Sequence, residues 1–162
     1  MPGLSVMSGF AIDLGVLPVG ASNLRLEAQP PVLELASDDW PEPVVGQFAV
    51  DRTADRVSIR GRLAATARLE CVRCLKRYDL PLETVLEIYA DRMGSGHRAE
   101  EEALERDDYM KFHDGRTLDL KDEAREALLL ELPIAPHCRE DCRGLCPRCG
   151  KDLNEGPCAC EG

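Results

Sequence analysis

The chain has 162 residues, enough for one ordinary domain with a small appendage. Hydrophobic residues at 44 % allow a core, but aromatics at 4 % mean that Val, Leu, Ile and Ala must build it. Thirty acids against twenty bases give a net charge of -10, which opposes indiscriminate binding to polyanions and leaves room for a local basic face.

The N-terminal stretch has no positive n-region, and Asp13 interrupts its short apolar run, so no secretory signal is expected. No segment approaches the roughly 18 apolar residues of a membrane span. The expected location is cytoplasmic, where thiols stay reduced. Leu24–Ala28 and Pro31–Leu35 are predicted as short strands on either side of a Gln29-Pro30-Pro31 break, and Ser37–Pro43, with Trp40, as a loop. Val44–Asp51 alternates, with Val44, Phe48 and Val50 on one face. Arg52–Asp55 reads as a turn.

From Arg56 to Glu70 the alternation is long: Val57, Ile59, Gly61, Leu63, Ala65, Ala67 and Leu69 share one face. That period predicts a half-buried strand, bent or bulged at Gly61. Leu80, Leu82, Leu86 and Ile88 resume the pattern after Cys71–Arg77. The simplest structure is a long hairpin with Cys71 and Cys74 at its tip, its second strand pushed towards the sheet edge by Pro81. The acidic run within 93–108 is a solvated connector. Tyr109–Phe112 is a short strand before an Asp114-Gly115 turn. A helix over about 119–132 follows, with Asp119 as N-cap, Leu120, Ala124, Ala127 and Leu128 on its apolar side, Leu129, Leu130 and Leu132 widening it, and Pro133 as its stop. The fold class is therefore α+β: a small antiparallel sheet or meander, one packing helix and a cysteine-rich tail. The division is an α+β body, 1–136, in which 1–43 is the least determined part, and a tail, 137–162, packed on the hairpin tip 71–77.

Eight cysteines in paired short spacings ask for metal in this compartment. Cys71, Cys74, Cys138, Cys142, Cys146, Cys149, Cys158 and Cys160 would make two closed four-thiolate zinc sites, structural because neither keeps a position open for water. The preferred division puts Cys146, Cys149, Cys158 and Cys160 on one ion, which closes short loops, and Cys71, Cys74, Cys138 and Cys142 on the other, clamping the hairpin tip to the segment after the helix. Another pairs Cys71 and Cys74 with Cys146 and Cys149 as a zinc ribbon would, and a fully local partition is a third. Redox catalysis by a Cys-x-x-Cys motif would want the first thiol at a helix N-terminus, and neither motif is so placed. His137 is either a substitute ligand or a surface histidine. No phosphate loop or nucleophile motif is present.

Between Asp51 and Arg77 lie eight bases, among them Arg56, Arg60, Arg62, Arg68, Arg73, Lys76 and Arg77, against three acids. Outward strand positions must be polar, and arginine meets that need with no ligand. The functional alternative is a phosphate-facing RNA surface beside the zinc-pinned tip.

Three segments together carry a resemblance: Leu69-Glu70-Cys71-Val72-Arg73-Cys74-Leu75, the helix end Leu128-Leu129-Leu130-Glu131-Leu132-Pro133, and the tail from Asp141 to Asn154 with Cys142, Cys146 and Cys149. In this order they resemble the large ribosomal RNA subunit accumulation protein (YceD) family of bacteria and chloroplasts, over about Val44 to Cys160. The resemblance implies a non-enzymatic role in 23S rRNA accumulation or maturation and large-subunit assembly. The implied partners are ribosomal RNA or assembly intermediates, met directly or through a protein. The competing reading is a zinc-stabilised adaptor whose acidic surface binds a ribosomal protein or a nuclease.

Overall fold

A fifteen-residue alternation buries one face only if neighbouring strands extend the same surface. In the computed structural model, which describes residues 5–92 and 111–160, that surface is a six-stranded sheet. The elements are β1 (Ser5–Ser8), β2 (Ala11–Asp13), β3 (Gly20–Ala28), β4 (Val44–Arg52), β5 (Arg56–Glu70), β6 (Arg77–Arg92), β7 (Lys111–His113), β8 (Thr117–Asp119) and α1 (Lys121–Leu130). The sheet runs β1-β3-β4-β5-β6-β7, and β2 pairs with β8 in a second, two-stranded sheet. The middle, β3 to β6, is the antiparallel meander; β1 on β3 and β7 on β6 are parallel pairs.

The face read from the alternation is the buried one: Val57, Ile59, Leu63, Ala65 and Ala67 lie in the core with Val44, Phe48 and Val50. The bulge at Gly61 is absent. Register is uniform through Phe48↔Gly61 and Gly61↔Leu86, and glycine is needed for a different reason. A Cβ there would stand 1.9 Å from the Gln47 carbonyl oxygen, so the residue permits close approach of β4.

Three further expectations are corrected, and a fourth holds along part of its strand. Pro31–Leu35 is no strand: Pro30–Leu33 is a 3-10 turn, closed by Glu34 at φ 58, because consecutive prolines withdraw two ladder donors. Asp119 belongs to β8 and not to the N-cap, although its Oδ1 still accepts the Lys121 N–H at 2.9 Å. The helix is shorter at both ends than 119–132, and Leu129 and Leu130 are exposed. Successive helix positions turn by about 100°, so these two rotate away from the stripe that Ala124 and Leu128 bury. Finally, Pro81 does lie opposite Thr66 on a strand with no outer neighbour there among the described residues, but β7 covers Ala90–Arg92 at the other end. Of Tyr109–Phe112 only Lys111 and Phe112 fall within the described residues, in β7. The acidic connector and Tyr109 lie outside them.

The N-terminal segment supplies more than the sequence promised. Phe10, Ile12, Leu14 and Leu17 are buried in the main core, and Leu120 donates its N–H to the Phe10 carbonyl at 2.7 Å. The Ser37–Pro43 loop is indeed a loop, yet Trp40 within it is buried. A second, smaller cluster forms beyond the end of the sheet, around Cys71, Cys74 and Cys142 with Tyr78 and Leu145.

Candidate metal centres

The β5–β6 hairpin closes through Cys71–Lys76, with Glu70 paired to Arg77 on either side. The Leu75 N–H donates to the Cys71 carbonyl at 2.9 Å, and Leu75 takes φ 61. The turn so made brings two thiols to one side. Cys138 and Cys142 arrive from the segment after α1, anchored by the Val72 N–H on the Pro136 carbonyl at 2.9 Å. The four sulfurs lie within 4.8 Å of one another, with Cys71 Sγ 3.8 Å from Cys142 Sγ and Cys74 Sγ 3.6 Å from Cys138 Sγ. A tetrahedral ion with thiolates at about 2.3 Å sets them about 3.8 Å apart, whereas a disulfide needs about 2.05 Å. The donor set fits a four-coordinate soft cation.

Cys146, Cys149, Cys158 and Cys160 form a second such set. Its first turn repeats the hairpin geometry: the Gly150 N–H donates to the Cys146 carbonyl at 2.9 Å, and Gly150 takes φ 74. The Arg148 N–H points at Cys146 Sγ at 3.4 Å. All eight cysteines are free thiols, and they divide as the preferred partition has it, with Cys146–Cys160 closing short loops, rather than in the ribbon pairing. His137 is exposed and belongs to neither group.

The thiols of each group titrate unevenly. Burial pushes Cys71 up, but N–H groups of Cys138, Cys74 and Arg73 outweigh it and bring it to about 6. Cys138 is pushed up to about 12, by burial first and then by the adjacent Cys74 and Cys142. Likewise the N–H groups of Cys149 and Arg148 hold Cys146 at about 6, while the neighbouring Cys149 drives Cys160 to about 12. Four adjacent thiols cannot all shed protons against one another; a divalent cation would release them.

Two side chains that sequence reasoning did not single out tie the groups together. Asn154 Nδ2 donates to Cys142 Sγ at 3.3 Å, holding that thiol below its usual range, and Asn154 Oδ1 accepts the Arg143 N–H at 2.8 Å. Lys76, at the hairpin tip, pairs with Asp152 at 2.7 Å. The one signal in sequence for Asn154 and Asp152 was position, since both lie within the motif from Asp141 to Asn154.

The predicted basic face is where the alternation put it, on the side of the sheet away from the core, but most of its charge is matched internally. Arg56 meets Asp91 at 3.3 Å, Arg62 meets Glu83 at 3.2 Å and Arg68 meets Asp79 at 2.8 Å. Arg60 stands opposite Glu87. Arg73 donates to the Cys142 carbonyl at 3.0 Å, and Arg77 pairs with Asp39 at 3.1 Å. Each outward arginine of β5 thus faces an acid of β6.

The family model for the large ribosomal RNA subunit accumulation protein YceD matches residues 59–162. The chain belongs to this family. The match begins inside β5 and runs through both cysteine groups, so the region that carries the thiols is the YceD region of the chain. Curated relatives include uncharacterized proteins of Mycobacterium leprae, 34 % identical over 75 % of this chain, and of Mycobacterium bovis and Mycobacterium tuberculosis, each 36 % identical over 77 %. The chain spans 54–58 % of the length of those relatives. No solved structure matches it. The family is described by accumulation of an rRNA subunit and not by a reaction. No helix among the described residues is long and apolar enough to cross a membrane.

Proposed function

We propose that this YceD-family chain is a non-enzymatic cytoplasmic factor that supports 23S rRNA accumulation and large-subunit assembly, its working shape held by two structural zinc ions. The observation that carries the reading is the complete use of eight thiols in two four-sulfur sets, inside the region its family defines. Cys71, Cys74, Cys138 and Cys142 would hold one ion; Cys146, Cys149, Cys158 and Cys160 would hold the other. Four thiolates per ion leave no open position for a substrate or water, so the metal supplies cross-links and not Lewis acidity. The α+β body, 1–136, and the tail, 137–162, are then two parts joined at the hairpin tip.

Deletion of the gene tests the biological part: 23S rRNA should fall relative to 16S, and unchanged 23S would remove the assembly role. Elemental analysis should find two zinc atoms per chain, and cobalt substitution should show only tetrahedral thiolate spectra.

How the factor meets its target has two versions. Arg56, Arg60, Arg62, Arg68, Arg73, Lys76 and Arg77 would face phosphates in the first. The cross-strand pairing of those arginines with Asp79, Glu83 and Asp91 favours the second, an adaptor that binds a protein of the assembling particle. A paired arginine must give up its acid before it meets phosphate. Cross-linked complexes that survive nuclease treatment would support the adaptor. Complexes lost to nuclease, and lost in R60E/R62E, would support direct RNA contact.

A further inference from the structure

At the end of α1 the chain exposes apolar side chains that its own core leaves uncovered. Leu129 is 39 % exposed, Leu130 78 % and Ile134 104 %. Leu129 and Leu132 also form one wall of a groove of about 650 Å³, whose floor is Trp40 with Ala67 and Leu69 from the inner face of β5. The cations on the rim are already taken: Arg68 by Asp79 and Arg77 by Asp39.

The electrostatics of this end point one way. Carbonyls at a helix C-terminus carry partial negative charge, which a nearby base ordinarily offsets. Here the last turn contains no base, and the C-cap residue is Glu131. From Glu126 to Pro136 the only charged side chains are Glu126 and Glu131, both exposed. A cluster of aliphatic side chains is therefore set beside two acids and the helix carbonyls, with the nearest base along the helix, Arg125, lying before its last turn.

We propose that the C-terminal end of α1 and the adjoining groove dock a cationic, apolar-anchored segment of a partner protein. Its aliphatic side chains enter the groove between Trp40 and Leu129 and cover Leu130 and Ile134, while its Lys or Arg side chains meet Glu126, Glu131 and the helix carbonyls. The proposal rests on the adaptor reading above and names its surface. A second copy of this chain is a poor occupant, because it brings a net charge of -10 against the same acids. A polyanion is repelled by the same acids.

Trp40 is the sole tryptophan and lies in the groove, so its emission reports occupancy. The full, metal-loaded chain would be titrated with two tryptophan-free helical peptides, one with Leu and Lys on opposite faces and one in which Ser replaces every Leu. The expected result is a saturable change in Trp40 emission with the Leu-Lys peptide alone. L130S/I134S should weaken it at least about tenfold, with zinc content and circular dichroism unchanged, since both side chains are exposed. An equal response to the Ser-Lys peptide, or undiminished affinity in L130S/I134S, overturns the proposal. So does an rRNA fragment that binds the native chain and loses affinity in L130S/I134S, which would assign the patch to RNA. The assembly role is read separately in the deletion strain. Normal 23S rRNA there removes that role and leaves the peptide result standing, whereas depleted 23S rRNA without peptide binding removes the docking surface alone.

Discussion

The two cysteine groups begin with the same local motif and stand in different places in the fold. Cys71-Val72-Arg73-Cys74 and Cys146-Pro147-Arg148-Cys149 both close a turn by an N–H from the residue after the second cysteine to the carbonyl of the first, at 2.9 Å in each. The first group joins residues 64 and 71 positions apart and is largely buried. The second draws every thiol from Cys146–Cys160, and Cys149 is exposed. A cross-link over a long loop restricts the unfolded chain more, by roughly 0.6 kcal/mol for each doubling of the loop. An ion in the first group would also hold the hairpin tip to the segment after α1, which one in the short loop could not do. Identical spacing therefore does not mean identical consequence; the separation of the partners decides.

The largest separation between the groups should come from removing one thiol of each. Cys71→Ser should release one zinc, expose Cys142 and Tyr78, and loosen the hairpin from the tail, seen as lost amide protection along the tip half of β5 and β6. Cys149→Ser should also release one zinc but leave that protection intact. Equal loss of protection in the two variants would abolish the distinction.

A smaller effect is expected where the tail meets the tip. Gly144 takes φ 76, and a Cβ there would lie 2.9 Å from the Arg73 carbonyl oxygen. Gly144→Ala should cost about 1–3 kcal/mol in denaturant melts and weaken retention of the first zinc before the second. No change would mean that the tail does not need this approach.

The residue after each Cys-x-x-Cys offers a finer contrast, since both adopt left-handed backbone. Gly150 does so freely at φ 74, but Leu75 does so at φ 61 with a side chain that is 55 % exposed. Leu75→Gly should be neutral to stabilising, by less than about 1 kcal/mol, because relief of strain is partly offset by a freer unfolded chain. Gly150→Leu should destabilise the second site alone by about 1–2 kcal/mol.

The smallest effect concerns pH. The Lys76 ammonium, with the Asn154 N–H, holds Asp152 below the usual carboxylate range. A folded-state value below the unfolded one contributes stability that is present above about pH 4 and fades as pH falls through the folded value. Asp152→Asn should flatten the acid limb of the stability curve of the loaded protein and leave its neutral stability only slightly lower. An unchanged acid limb would show that the Lys76–Asp152 bridge contributes nothing to the joint.

Much of this was legible residue by residue. Period-two alternation over Arg56–Glu70 named the buried face of β5 because side chains of a strand must alternate. Cysteines two residues apart announced shared four-thiol sets because such a turn can aim two thiols at one point. Other features were not legible. Leu129 and Leu130 extend an apolar run in sequence, yet the helix period turns them outward, and no element among the described residues covers them. Phe10, Ile12 and Leu14 alternate over too short a span to declare a strand, and only β8, more than a hundred residues later, makes β2 one.

The sequence by itself determined the local geometry of this protein: the long strand, the two thiol turns, the helix and the sign of each surface position. These depend on neighbours within a few residues, where steric and hydrogen-bonding preferences act directly. Loop length already favoured the cysteine division that is found; the tertiary structure alone decided that the β5 arginines face the acids of β6 and that, among the described residues, the end of α1 stays bare. Those outcomes depend on strand register and on which distant segments are brought together by burial of the common core, and local spacing carries no record of either.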